Sequence, residues 1–155
     1  MIFRFGQTLL DIDVEATRKF YSERNLVNDC SCTGCENYRH YVENCAPAIK
    51  EMFRSMGIED LRYISEIIPY GAGREEYQKS GRILYGGFYH VKGRVIQRGS
   101  EEMETSAVKL TEHYEIYPPL EEGGALVPDD FPTPVLQIEI YAQIPWLISA
   151  ENDYV

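Results

Sequence analysis

The sequence predicts an α+β fold, with N-terminal helices packed on a mainly antiparallel sheet of about four to five strands. Three observations carry that expectation. Helical periodicity is confined to the chain before Gly57, and alternating patterns dominate after Arg82. The two do not interleave as a β-α-β repeat would require. At 155 residues and 44% hydrophobic, the chain has the length of a single domain, residues 1–155, and too much apolar surface to stay disordered.

The elements follow in order. Ile2 to Phe5 alternates and reads as a short strand. Gly6-Gln7 interrupts it, and Thr8 to Ile12 either continues it or forms a second strand. Asp13 is an N-cap for a helix through Ser22, with Glu15 at its positive end. Asn25 to Gly34 is a loop, and Cys35 to Asn44 fits a second helix. Pro47 suits the first turn of a third, in which Ile49, Met52, Phe53 and Met56 make one apolar stripe and Gly57 provides the stop. Tyr63 to Tyr70 is apolar and reads as either strand or helix. Arg82 to Gln97 places Ile83, Tyr85, Tyr89, Val91 and Val95 on one parity, with Gly86-Gly87 as a bulge or a close backbone approach. Val108 to Ile116 alternates as well. Leu136 to Trp146 is the cleanest half-buried strand, and Tyr117 to Pro134 is a long acidic connection rich in Pro and Gly.

Charge narrows the function. The chain has 25 acidic and 15 basic residues, for a formal charge of −10, and residues 99–155 hold 12 acids against the single base Lys109. Nucleic-acid binding is disfavoured, because phosphate contacts need clustered bases and the larger field here has the wrong sign. No apolar run reaches the ~18 residues of a membrane span, and the opening residues are no signal peptide, so a cytoplasmic location is expected. Two readings of the asymmetry compete. Glu101, Glu102, Glu121, Glu122, Asp129 and Asp130 could form an acidic face for a basic protein partner. Alternatively, the basic segment 74–98 and the acidic third are neighbours that pair across strands, which is preferred because sequential strands usually pair.

The motif with chemistry in it is Cys30-x-Cys32-x-x-Cys35. Closely spaced thiols in a cytosolic chain point to metal or catalysis more than to structural disulfides. Zinc is the first hypothesis, with three thiolates and a fourth ligand drawn from Cys45, His40, His90 or His113. The weakness is distance: Cys45 lies ten residues beyond Cys35, about 15 Å along a continuous helix. Redox chemistry at the Cys32-x-x-Cys35 pair is the second, since a thiol near a helix N-terminus is acidified. Packed, reduced thiols are the third. No Gly-x-Ser-x-Gly elbow, phosphate loop, dinucleotide fingerprint or His-Glu-x-x-His is present. Glu112 falls on an apolar parity, which means either a buried carboxylate or a strand edge that shifts the register.

The run Cys30, Cys32, Cys35, Asn37, Tyr38, together with the closing Ile-Glu-Ile-Tyr…Ile-Pro-Trp-Leu of residues 138–147, resembles a group of small uncharacterised proteins from Gram-positive, often gut-dwelling, bacteria. That resemblance implies a cytoplasmic bacterial setting and carries over no catalytic role. The expected function is a non-enzymatic binding or regulatory protein, immunity- or inhibitor-like, with a cysteine loop that holds zinc or simply packs. The alternative is a thiol- or metal-dependent enzyme centred on Cys32 and Cys35.

Overall fold

The structure is a computed structural model that describes residues 1–24, 28–99 and 106–155. Among the described residues, seven strands form one antiparallel sheet, which corrects the expected four to five. The strands are β1 (Ile2–Phe5), β2 (Thr8–Ile12), β3 (Glu66–Gly71), β4 (Arg82–Gln97), β5 (Val108–Thr111), β6 (Tyr114–Tyr117) and β7 (Val135–Pro145). The helices are α1 (Val14–Ser22), α2 (Thr33–Glu43), α3 (Pro47–Ser55) and α4 (Arg74–Ser80).

The extra strands have local causes. Gly6 adopts φ +58° and turns the chain so that Phe5 pairs with Thr8, making a hairpin of what alternation alone leaves ambiguous. Glu112-His113 is likewise a two-residue turn between Thr111 and Tyr114. That splits the second alternating stretch and explains Glu112: its side chain is 88% exposed at the tip of the hairpin. The ambiguous segment resolves into a 3-10 turn, Leu61–Tyr63, followed by β3.

β4 organises the sheet. Along one edge it pairs with β7 from Arg82 to Lys92; along the other it pairs first with β3 and then with β2. The gap between β3 and β2 is filled by α1, where Asp13 N donates to Lys92 O, Lys92 N donates to Thr17 Oγ1 and Tyr21 Oη donates to His90 O. Asp13 caps α1 as expected, its carboxylate accepting from Ala16 N at 3.0 Å. The basic and acidic segments do adjoin, but their charges do not face each other. Lys92 lies opposite Val135 and Arg82 opposite Pro145, and Lys92 instead reaches Asp13 at 3.2 Å.

Helices α2 and α3 cover the inner face, where Tyr85, Tyr89, Tyr114, Ile138, Ile140 and Ile144 are fully or almost fully buried. Phe53 of α3 packs on Tyr89 with ring centres 4.5 Å apart and the rings tilted by 45°. Four polar groups thread this core. Tyr89 Oη donates to Leu61 O at 2.6 Å, so it must accept from Tyr38 Oη at 2.8 Å, and Tyr38 in turn must accept from Tyr114 at 2.9 Å. Each hydroxyl has one proton, so the direction of the chain is fixed and every member is satisfied. Asn37 makes a second link, donating to Tyr85 Oη and Pro145 O and accepting from Leu147 N at 2.7 Å.

Candidate metal centre

The loop before α2 brings the three thiols together. Asn28 Oδ1 accepts from Cys30 N, and Arg39 reaches back from α2 to donate to the carbonyls of Asn28 and Cys30. Cys32 is the N-cap of α2: its sulfur accepts from Cys35 N at 3.4 Å, where a serine or aspartate oxygen would ordinarily sit. Cys35, one turn further on, is buried against β3, with its thiol 3.9 Å from Ile67 O. The sulfurs of Cys30, Cys32 and Cys35 all lie within 4.8 Å of one another. Three thiolates around one tetrahedral zinc sit about 3.8 Å apart, so closure requires only a small contraction.

The C-terminal segment supplies a neighbour that the sequence does not announce. The Tyr154 hydroxyl lies beside the Cys32 thiol, Thr33 and the Gly34 backbone. Gly34 is required here by close approach: a Cβ would lie 2.5 Å from Pro69 Cγ of β3 and 3.0 Å from Tyr154 Oη. These contacts fix the thiol chemistry. Burial alone would raise the Cys32 thiol, but hydrogen bonds from Cys35 N, from the Cys35 and Cys30 thiols and from Tyr154 bring it down to about 7. Cys35 moves the opposite way, raised by burial and by its bonds to Cys32 and Cys30. One exposed, acidified sulfur therefore stands beside a buried, protonated one.

The four expected candidates for a fourth ligand are placed elsewhere. Cys45 is buried beyond the end of α2, donating to Val42 O and raised by burial. His40 is exposed on α2, and His113 forms the β5–β6 turn beside Glu112. His90 is buried in β4 with Nδ1 2.8 Å from Ser65 Oγ. Its Nε2 lies near Gln137 and the Gly124 backbone without an aligned partner, and burial holds the imidazole below its ordinary pKa. Among the described residues, Cys30, Cys32 and Cys35 are the group of His, Cys, Asp and Glu side chains that could hold a metal ion.

The expected acidic face is spread over two clefts. Glu121 and Glu122 line a small groove with Tyr117 and Glu139. Asp129 and Asp130 line a cleft of about 1080 Å³ that also contains Cys30, and Asp130 pairs with Arg24 across it. Glu101 and Glu102 lie outside the described residues. A further cleft of about 1020 Å³ between β2, α1 and α3 is far from the thiols, and its charges are largely paired with one another.

No protein-family model matches the chain, and neither does any curated protein or solved structure. No helix among the described residues is long and apolar enough to cross a membrane.

The sequence located the three thiols but missed Tyr154, which is remote in the chain, and the role of Asn37. The latter had a signal. Asn37 joins the two segments that look distinctive together, the cysteine run and residues 138–147, through its bonds to Pro145 and Leu147.

Proposed function

We propose that this chain is a small binding or regulatory protein, immunity- or inhibitor-like, whose Cys30, Cys32 and Cys35 thiolates hold a structural Zn²⁺. The observation that carries the reading is the convergence of three sulfurs within 4.8 Å at the start of α2. A cation there would be held by the loop, by the helix N-terminus and by the helix's contact with β3, fastening an irregular segment to the sheet. The thiols need a reducing compartment, which the cytoplasmic setting supplies. The fourth coordination position falls to water or to a group from a partner, since no ordinary protein ligand stands beside the three sulfurs among the described residues.

The test is metal content and cobalt substitution on protein purified without chelator, beside a Cys30→Ser/Cys32→Ser/Cys35→Ser variant. The expected result is one zinc per chain, and thiolate-to-cobalt charge transfer that disappears in the variant. Metal-free protein with four titratable thiols and no cobalt spectrum would rule the site out.

A second reading is favoured by one observation: the acidified, exposed Cys32 caps a helix with Cys35 buried behind it, the arrangement of an attacking thiol and a resolving thiol. In that case the protein is a thiol-dependent enzyme. Disulfide exchange with an aromatic disulfide probe would show a fast phase near neutral pH that is lost in Cys32→Ser and survives in Cys45→Ser. A uniformly slow reaction excludes it.

A further inference from the structure

The sheet has two faces, and the helices that pack across it cover one. Register places Glu66, Phe88, Glu139 and Tyr117 in one row of the other face, and Ile68, Gly86, Tyr141 and Glu115 in the next. Carboxylates and aromatic rings thus alternate across four strands in the first row, and Tyr141 and Glu115 stand side by side in the second. The connection between β6 and β7 crosses this face only at one end, where Ala125 N donates to Gln137 Oε1. Beyond it, Tyr70, Ile68 and Leu84 are left 57%, 42% and 38% exposed.

Gly86 shows how the surface is built. A Cβ at this position would lie 2.6 Å from Tyr70 Cε2 and 3.2 Å from Tyr141 Cε1, so the two rings close over bare backbone. Tyr141 meets Tyr117 edge-on at 5.5 Å, and Tyr117 Oη donates to Glu115 Oε1 at 2.8 Å. Three tyrosines therefore form a strip held by packing, with carboxylates beside it. The bases on this face are peripheral: Arg82 donates to Gln143 O, and Lys109 lies on the outermost strand opposite Glu115.

We propose that this tyrosine-and-glutamate face docks a cationic protein segment, its guanidinium or ammonium groups lying over Tyr70, Tyr117 and Tyr141 with Glu66, Glu115 and Glu139 as counter-ions. The inference rests on the reading of the chain as a binding protein and assigns the surface through which it binds. Ring faces attract cations, and pre-packed aromatics lose little freedom on binding. Charge complementarity selects this occupant. A second copy laid face to face would oppose like charges, and a nucleic acid would bring phosphates against carboxylates.

The experiment titrates a nona-arginine peptide into ¹⁵N-labelled protein and follows the backbone amides. Shifts are expected to concentrate in residues 66–70, 84–88, 115–117 and 139–141, and affinity to fall as salt is raised from about 50 to about 300 mM. A Tyr70→Ala/Glu139→Lys variant, altered at solvent-facing positions and checked for fold by circular dichroism, should bind about tenfold more weakly. A Glu36→Lys/Glu51→Lys variant, altered on the helices of the other face, should change affinity less than about twofold. The proposal is overturned by shifts scattered over all acidic positions, by equal weakening in the two variants, or by absence of binding. It is also overturned if sedimentation shows a dimer that Tyr70→Ala/Glu139→Lys dissociates. Loss of metal from the triple-serine variant with this footprint intact leaves the two proposals separate, and absence of metal with the footprint intact overturns only the zinc site.

Discussion

Tyr38 shows how much can depend on one proton. Its hydroxyl accepts from Tyr114 and donates to Tyr89, and all three phenols are fully buried, which pushes their ionisation well above the ordinary range. Tyr38→Phe leaves Tyr114 without an acceptor and should cost about 1–3 kcal/mol in urea denaturation. The same burial sets an alkaline limit. These are acids whose folded pKa is raised, so above about pH 10 the unfolded chain loses protons that the native state retains, and stability must fall as pH rises. Each of the three phenols should contribute about 1.4 kcal/mol per pH unit to that fall, beside the buried Tyr21 and Tyr85, and Tyr38→Phe should reduce the slope by about that amount. Equal slopes in the two proteins would contradict the network. In the sequence, these tyrosines were legible as core parities. Their mutual bonding was not, because it joins one helix to two strands far apart along the chain.

At the scale of elements, α2 is where local signals and tertiary demands diverge. A mid-helix alanine is ordinarily about 1 kcal/mol better than glycine. At Gly34 the added methyl would meet the ring of Pro69 at 2.5 Å, and overpacking of that kind costs about 1–3 kcal/mol. Gly34→Ala should therefore lower the melting temperature and, by lifting the helix from β3, weaken metal binding measured by competition with a chromophoric chelator. A stabilised variant with unchanged affinity would show that the contact is slack. The elements the sequence predicted best were those with their own punctuation: Asp13 at the start of α1, Pro47 and Gly57 around α3, and the alternation of β7. Those it misjudged had punctuation of the wrong apparent kind. Glu112 looked like a residue within a strand and was a turn, while the run 74–80, read only for its charge, is a short helix ended by Gly81 in the left-handed conformation. The fourth metal ligand was left open for a different reason. Helical spacing correctly placed Cys45 too far away, but nothing local could exclude the three histidines.

For the whole molecule, the charge asymmetry was plain in the sequence and its use was not. The acidic third and the basic strand are neighbours, yet the strand register sets their charges against apolar and polar partners. The surplus carboxylates are left facing solvent beside tyrosines that three separate strands contribute. No stretch of sequence contains that surface, so no motif could have revealed it. The order of the strands has one more consequence. β7, the last strand along the chain, lies in the interior of the sheet between β4 and β6, and β4 waits on it along eleven residues. During synthesis, everything up to Tyr117 can emerge before the strand that joins the two halves exists. Until then, a long edge of unpaired backbone on β4 and a short one on β6 remain open to any other nascent chain. A ribosome that stalls before Val135 would release not a shortened protein but two adhesive half-sheets.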